Sequence, residues 1–256
     1  MEKPMPVQGV SALEIAYDRG RHWRARIGFV LLATEQTVEE DMFHLAPPGV
    51  GVHFTRVRIP DAITVETLGA VRAELADAAA RILPDGNMDV LCYACTSGSI
   101  VIGEERVMAE LSRGAPSARV TTLVTGVIRA LRTLGAKRLV VGTPYLDEIN
   151  VLERRYLEAR GFEILDIQGM NILKDTDMVR VAPRFIMEFA RSLDRPDAEA
   201  IFVSCGALRT LDIVDALEQK VGKPVVASNQ AMFWDTLRLA GVEDRIEGYG
   251  QLLRSY

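Results

Sequence analysis

The chain repeats itself at a spacing of about 110 residues, and this repeat limits the folds that it can adopt. A shift of 110 positions aligns Gly51 with Gly161 and Cys95 with Cys205, each beside a short apolar run. A period of this length is too long for a solenoid. It indicates duplication of a half-domain, with chance similarity among glycines and apolar residues as the alternative.

Short apolar runs alternate with longer segments of helical periodicity. The short runs, rich in Val, Ile and Leu, cover residues 27–32, 52–59, 88–94, 120–122, 139–141, 162–167, 200–204 and 224–227. The helical segments cover residues 65–83, 100–111, 125–134, 146–160, 177–193, 210–221 and 231–240. Such alternation is typical of buried parallel sheets. We therefore predict an α/β fold with two pseudo-symmetric halves, each a four-stranded parallel sheet flanked by helices, and an active site in the cleft between them.

The repeat also suggests how the chain divides. Residues 1–25 match no repeat, and we expect an N-terminal arm there. The first half is predicted to comprise residues 26–123 together with 228–256, and the second half residues 124–227. No Gly/Ser-rich or Pro-rich linker separates them.

Composition excludes several classes of protein. The 256 residues are 48% hydrophobic and carry a net charge of −5 without a basic run, which argues against nucleic acid and anionic membranes as partners. No apolar stretch approaches the roughly 18 residues of a membrane span, and the first 26 residues lack the apolar region of a secretion signal. Three cysteines do not form a disulfide framework, so a reducing cytoplasm is expected.

Two cysteines stand where ligands bind in parallel α/β folds, beyond the carboxyl ends of strands. Cys95 and Cys205 each end a predicted strand and precede small residues that open a helix. Backbone amides at such a position can bind a carboxylate or enolate oxygen, and they favour thiolate over thiol. We expect the two thiols to face one cleft, where one sulfur attacks or removes a proton and the other delivers one.

The third cysteine is best explained as core. Cys92 lies three residues before Cys95, and this odd spacing points the two side chains to opposite faces of a strand. A redox or zinc motif is the alternative, but it would need a shared helix start or further ligands, and His22, His44 and His53 are scattered. The chain also lacks a nucleotide fingerprint. We predict neither a metal nor a cofactor.

The repeat also indicates which other residues lie near the two cysteines and are candidates for substrate binding. Glu35 aligns with Tyr145 after the first strand of each half, and Asp61 aligns with Asn171 after the second. Tyr145 and Asn171 can hydrogen-bond an anionic substrate, although both residue types are also ordinary in turns. Asp61 is instead predicted to cap the helix that follows it.

Several motifs resemble those of a known superfamily. They are Ala94-Cys95-Thr96-Ser97-Gly98, Gly142-Thr143-Pro144-Tyr145, Ser204-Cys205-Gly206 and Pro224-Val225-Val226-Ala227-Ser228-Asn229-Gln230-Ala231. From about residue 26 onward the chain resembles the aspartate/glutamate racemase superfamily, in the branch of maleate cis–trans isomerases, arylmalonate decarboxylases and the ectoine-utilisation protein A group.

This resemblance implies cofactor-independent isomerisation of a small carboxylate or amino-acid derivative by a homo-oligomer, a dimer or tetramer. Cys95 would attack the alkene carbon of maleate and form a succinyl-type adduct. Cys205 would act as acid and base, and elimination after bond rotation would give fumarate. Tyr145 and Asn171 would hold a carboxylate or enediolate.

Three further residues would assist on the same grounds, namely Thr96 and the backbones of Ser97 and Gly206. The decarboxylases of the branch keep only the cysteine of the second half, so Cys95 argues against their activity. A small-molecule binding protein of the same fold is the alternative without catalysis.

At residues 35–37 the chain departs from the pattern of maleate isomerases, and this difference bears on which substrate it would bind. Maleate isomerases carry Asn-Thr-Thr where this chain has Glu35-Gln36-Thr37. An ionised Glu35 would repel a dianion at ~4 Å by several kcal/mol at an effective dielectric of about 20. Residues 32–37 look more like the ectoine-utilisation group, which is associated with amino-acid derivatives and racemisation. Glu35 would then bind a substrate ammonium group. The sequence does not separate racemisation from cis–trans isomerisation.

Overall fold

Two parallel sheets organise the chain. The computed structural model describes residues 15–84 and 87–256, so most of the predicted N-terminal arm lies outside the described residues. The strands are β1 (Ala25–Leu32), β2 (Val50–Val57), β3 (Val90–Tyr93), β4 (Arg119–Thr122), β5 (Arg138–Thr143), β6 (Glu163–Gly169), β7 (Ala200–Val203) and β8 (Val225–Ala227). Each coincides with a predicted apolar run to within a few residues.

The strand order confirms the duplication. The first sheet has the order β2-β1-β3-β4 and the second β6-β5-β7-β8, so every strand of one half has its counterpart four strands later. All pairings are parallel. The halves differ in one detail, because the β5–β6 register shifts between Leu139 and Val140 whereas β1–β2 pairs without interruption.

Twelve helices are assigned among the described residues. They are α1 (Val38–Leu45), α2 (Val65–Ala70), α3 (Leu75–Arg81), α4 (Thr96–Ile102), α5 (Glu104–Gly114), α6 (Leu123–Thr133), α7 (Asp147–Glu158), α8 (Asp175–Met178), α9 (Pro183–Ser192), α10 (Val214–Val221), α11 (Ser228–Leu239) and α12 (Gly250–Ser255). Helices α1 and α12 were not predicted.

Three predicted helices are interrupted, each for a local reason. The first, residues 65–83, tightens into a 3₁₀ turn at Val71–Glu74 between α2 and α3. The second breaks at Gly103, whose φ of 93° ends α4. The third, residues 177–193, separates into α8 and α9 because Pro183 starts a helix well but cannot continue one.

The two halves share their core. Each of the two clusters of buried apolar residues contains strand residues from both sheets, for example Val30 with Val140 in one and Phe29 with Phe202 in the other. Helix α11 follows β8 but packs against α6, α1 and β3. The division of the chain at residues 123 and 227 remains a prediction. None of the helices described is long and apolar enough to cross a membrane.

Candidate active site

A cavity lies where the carboxyl ends of strands from both halves meet. Seven of the eight predicted site residues line it. These are Glu35, Cys95, Thr96, Ser97, Tyr145, Cys205 and Gly206. The structure therefore brings the two thiols into one pocket between the halves.

Cys95 follows β3 and serves as the N-cap of α4. Its sulfur accepts a hydrogen bond from the Gly98 amide at 3.3 Å and lies 3.7 Å from the Ser97 hydroxyl oxygen. The side chain is only 7% exposed. Burial raises the pKa of the Cys95 thiol to about 11, although both donors oppose the increase.

Cys205 follows β7 in an unusual backbone conformation, with φ of 100°. Its amide donates to the Ser228 hydroxyl oxygen at 3.0 Å, and its sulfur accepts from the Ala207 amide at 3.4 Å. Burial raises the pKa of the Cys205 thiol well above its usual value, and the negative charge of Asp175 adds to the increase. The Tyr145 hydroxyl acts in the opposite direction.

The backbone amides lower the pKa of both cysteines, as expected, but they do not determine the net direction of the pKa shift. Backbone amides were expected to favour the thiolate, and amides do point at both sulfurs. In so buried a pocket, however, the loss of hydration outweighs two such hydrogen bonds. Burial thus favours the neutral thiol at both positions, so Cys95 would have to lose a proton before it could act as a nucleophile, whereas Cys205 would already hold a proton to deliver.

The loop after β5 fixes Tyr145 beside Cys205. The Thr143 hydroxyl donates to the Asn150 side-chain oxygen at 2.5 Å and accepts from the Tyr145 amide at 3.1 Å. Tyr145 is 2% exposed, and burial raises the pKa of its hydroxyl, with the neighbouring Cys205 as the next cause. A buried phenol of this kind stays protonated and can only donate to an anion.

Glu35 lines the cavity but is held by the start of α1. Its carboxylate accepts from the Thr37 amide at 2.7 Å and from the Val38 amide at 3.0 Å. Burial raises the pKa of Glu35 to about 7, the two amides lower it, and Asp175 raises it further. The carboxyl thus titrates near neutrality.

A second carboxyl in the cavity escaped the sequence analysis. Asp175 opens α8, is 4% exposed, and accepts from the Thr34 hydroxyl at 2.5 Å. Burial raises the pKa of Asp175. The repeat offered no signal for it, because the position 110 residues earlier is Val65.

Asn171 and Asp61, in the loops near the cavity, do not lie where the sequence led us to expect them. Asn171 is exposed at φ of 56° and does not line the cavity, and its conformation is one that Asn tolerates in turns. Asp61 was expected to cap the helix ahead of it, but the N-cap of α2 is Thr64. The Asp61 carboxylate binds the amide and hydroxyl of Thr176 in the other half at 3.0 and 2.7 Å.

Two residues at the start of α11 complete the surroundings of the cysteines. The Ser228 hydroxyl lies 3.0 Å from the Thr96 hydroxyl and also binds the Cys205 amide, so it links the two cysteine loops. The Asn229 side-chain amide donates to Asp41 at 2.7 Å and to the Gly206 carbonyl at 2.8 Å. Both belong to a motif singled out in the sequence, but without a role.

Cys92 behaves as the sequence predicts for a core residue. It is fully buried in a different apolar cluster from Cys95, on the opposite face of the strand. All three cysteines are free.

The sequence is similar to maleate isomerases and arylmalonate decarboxylases. The family model described as arylmalonate decarboxylase matches residues 60–253. A maleate isomerase of Nocardia farcinica is 30% identical over 241 residues, which cover 90% of this chain and 95% of that protein. An arylmalonate decarboxylase of Bordetella bronchiseptica is 32% identical over 198 residues, covering 74% and 81% of the two chains.

Solved structures agree with these relatives. The Nocardia farcinica maleate cis–trans isomerase, as a cysteine-to-serine mutant with a covalently bound succinylcysteine intermediate, superposes with a TM-score of 0.84 at 29% identity, covering 91% and 99% of the chains. A double mutant of arylmalonate decarboxylase, glycine to cysteine and cysteine to serine, in its liganded form gives a TM-score of 0.82 at 26% identity, covering 91% and 100%.

Proposed function

The chain belongs to the family of maleate isomerases and arylmalonate decarboxylases, a branch of the aspartate/glutamate racemase superfamily, and we propose from this premise that its Cys95 and Cys205 carry out the isomerisation. The prediction of an isomerase is confirmed by the relatives with that activity. One observation carries the assignment of residues. Both sulfurs line a single buried cavity between the halves.

In the proposed reaction Cys95 is the nucleophile. The Cys95 thiol first loses its proton to water, and the resulting thiolate forms a carbon–sulfur bond to one alkene carbon of a small unsaturated carboxylate. Cys205 gives its proton to the other alkene carbon and becomes a thiolate. The former double bond is now single and rotates. Cys205 then removes a proton, the carbon–sulfur bond breaks, and the isomerised alkene leaves. The succinylcysteine of the Nocardia farcinica enzyme is an adduct of this type.

The other predicted residues take supporting parts in this proposal. The buried Tyr145 hydroxyl donates to a substrate carboxylate or enediolate beside Cys205. The backbones of Ser97 and Gly206 line the cavity and are assigned to substrate binding. The binding role predicted for Asn171 from the sequence stays a prediction, because Asn171 is exposed outside that lining. The Thr96 hydroxyl already pairs with Ser228, which favours a positioning role for it.

The charge of the cavity favours a second candidate, racemisation of an amino-acid derivative. Glu35 and Asp175 line the cavity, and among the described residues that line it none is basic. Two carboxyls repel a dianion but suit a substrate ammonium group. In this variant one cysteine removes the α-proton, and the other returns a proton to the opposite face.

One experiment tests the function and separates the candidates. Maleate, aspartate and diaminobutyrate-derived acids are incubated with the enzyme in deuterated water, and products are followed by NMR. We expect turnover of at least one class. Cis–trans conversion of maleate identifies the first candidate, and deuterium at an α-carbon without loss of the amino group identifies the second.

Cysteine variants connect the activity to the site. Cys95→Ala and Cys205→Ala are each expected to abolish turnover, with circular dichroism unchanged. Cys92→Ala is the matched control, because this third thiol lies outside the cavity, and it should retain activity. Full activity in either of the first two variants would refute the proposal.

We further propose that the enzyme works without a cofactor, in the cytoplasm and as a homo-oligomer. The absence of nucleotide fingerprints from the sequence supports the first point, and the lack of a disulfide framework supports the second. Two exposed aromatic side chains lie beside edge strand β2 and support contact between copies, because Trp23 packs on Gly49 and the Phe43 ring packs against Phe54 of that strand. The resemblance of residues 32–37 to the ectoine-utilisation group supports a role in ectoine use.

A further inference from the structure

Tyr93 is a buried phenol whose hydroxyl has no hydrogen-bond partner within residues 15–84 and 87–256. It is the last residue of β3, and its side chain is completely inaccessible. Cys95 follows two residues later, so the two side chains lie on the same face of the strand. They belong to the same apolar cluster, whereas Cys92 and Ala94 belong to the other.

Gly98 shows how close the phenol comes to the sulfur. A Cβ atom at this position would overlap the Tyr93 hydroxyl oxygen and would lie 3.0 Å from the Cys95 sulfur. Both atoms therefore pack against the same α-carbon, in the first turn of α4. The Gly98 amide donates to this sulfur from the same turn.

We propose that Tyr93 is a catalytic hydrogen-bond donor to the Cys95 sulfur, which it stabilises when that sulfur becomes a thiolate. The inference rests on the proposed function in so far as Cys95 is the nucleophile. It adds a residue that neither the repeat nor the family motifs had nominated. Its hydroxyl would act on the reacting atom itself.

The reason for this assignment is that the Tyr93 hydroxyl has no hydrogen-bond partner in the resting protein, as far as the described residues show. A neutral thiol is a weak acceptor, and a buried donor without a partner is costly to the protein. A thiolate is a strong acceptor, so the interaction becomes favourable only when charge develops on Cys95. Interactions of that kind lower the barrier of a reaction rather than stabilise the resting enzyme.

The second half has a comparable pair, because the Tyr145 hydroxyl interacts with Cys205. The two phenols reach their cysteines from different elements, one from the end of β3 and the other from the loop after β5. Each buried sulfur thus has one phenolic donor. Burial raises the pKa of Cys95, and the Tyr93 hydroxyl acts against this increase together with the Gly98 amide and the Ser97 hydroxyl, although its geometry in the resting protein is not that of a hydrogen bond.

Other titratable groups also face Cys95 and have to be held constant in any test. They are Glu35 at the start of α1, Asp175 of α8, Tyr145 and Cys205. Replacement of Tyr93 with Phe leaves all four in place. A difference between the pH profiles of the two proteins then reports the lost hydroxyl.

The test is the rate of Cys95 alkylation by iodoacetamide between pH 7 and 10, resolved by peptide mass spectrometry. In Tyr93→Phe we expect about ten-fold slower alkylation of Cys95 at each pH and an unchanged rate at Cys205. With a turned-over substrate, kcat should fall by a similar factor while KM stays constant.

Two further measurements separate this role from a structural one. Tyr93→Phe should melt at the same temperature as the parent or higher, since no hydrogen bond of the resting state is lost. Tyr156→Phe is the matched control, because its hydroxyl is also buried without a partner among the described residues but lies outside the cavity. It should leave Cys95 alkylation unchanged.

Equal Cys95 alkylation in the parent and Tyr93→Phe would overturn the proposal. The measurement needs no substrate, so its outcome is independent of the proposed function. Slower alkylation in a protein that isomerises none of the tested acids would support the donor role of Tyr93 and count against the function alone.

Discussion

The backbone at Cys205 is strained in a way that the backbone at Cys95 is not. Cys205 has φ of 100°, a region that residues with a Cβ rarely adopt, whereas Cys95 is extended at φ of −140°. The strain is held by the contacts of its amide with Ser228 and of its sulfur with the Ala207 amide. Strain of this kind, here at the residue proposed to deliver a proton, is typical of functional positions.

This asymmetry gives a prediction for paired variants. Cys205→Gly should be more stable than Cys205→Ala by about 1–2 kcal/mol, because glycine adopts positive φ without a Cβ clash. Position 95 is an N-cap with extended backbone, where glycine is favoured over alanine for its capping position alone, so the Gly–Ala difference should be smaller there than at position 205. Urea unfolding of the four variants measures both differences. A Gly–Ala difference at position 205 no larger than that at position 95 would show that φ at Cys205 is not a source of strain.

At the scale of elements, α1 connects the two halves at the active site. Its first turn binds the Glu35 carboxylate, and the hydroxyl of Thr37 donates to the Ala207 carbonyl at 2.9 Å. One turn further, Asp41 accepts from Asn229, which also holds the Gly206 carbonyl. A helix of the first half thereby fixes the loop that carries the cysteine of the second.

The Asn229–Asp41 contact should control the stability of this connection in a pH-dependent way. Burial raises the pKa of Asp41 to about 7, and the hydrogen bond from Asn229 lowers it. Asn229→Ala should destabilise the protein by about 1–3 kcal/mol, and by more at pH 8 than at pH 6, because Asp41 then ionises without a donor. Urea unfolding at the two pH values measures this.

The control for Asn229→Ala is the same change in an Asp41→Asn background, where no carboxyl is left to ionise. The destabilisation should then be equal at pH 6 and pH 8. A pH-dependent loss that persists in this background would assign the effect to another carboxyl of the site.

Much of this architecture was predictable, because the signals are local. Apolar runs of strand length mark all eight strands, and the repeat predicts that the sheets share one strand order. The missed boundaries also had local signs, since Gly103 and Pro183 end or begin helices for steric reasons. Helix α1 was missed although Val38, Met42 and Leu45 are buried at helical spacing, because eight residues give a weak periodic signal.

The site was predictable only where the repeat preserved chemistry. Cys95 and Cys205 are equivalent in the repeat and of one residue type, so they stood out. Asp175 has no acidic counterpart, and Tyr93 resembles any buried aromatic at the end of a strand. Their proximity to the sulfurs depends on tertiary packing, which one-dimensional patterns do not record.

At the scale of the whole molecule, folding buries carboxyl groups that would ionise in the unfolded chain. Burial raises the pKa values of Glu35, Asp41 and Glu153 to about 7 each. Glu153 of α7 is fully buried, and neither of its oxygens has a hydrogen-bond partner among the residues described. Such groups bind protons more tightly in the folded protein than in the unfolded chain, where carboxyls ionise near pH 4–4.5.

The free energy of unfolding should therefore fall as the pH rises from about 5 to 8. Each raised pKa keeps a proton on the folded state over this range that the unfolded chain has already lost, so every increase in pH favours unfolding. The stabilisation is complete below the unfolded pKa and disappears as the pH passes through the folded value near 7. Urea unfolding at pH 5, 6, 7 and 8 should show a continuous decrease, and a rise over this interval would contradict the assignment.

Glu153 should account for a separable part of this decrease. Glu153→Gln removes the titration but keeps the shape of the side chain, so its unfolding free energy should exceed that of the parent at pH 8 by on the order of 2 kcal/mol and differ little at pH 5. Glu158→Gln on the same helix is the matched control, because that carboxyl is exposed and pairs only with Arg154 among the described residues. It should leave the slope unchanged. If Glu153→Gln and Glu158→Gln show the same pH dependence of the unfolding free energy, the burial of Glu153 does not cause the loss of stability at higher pH.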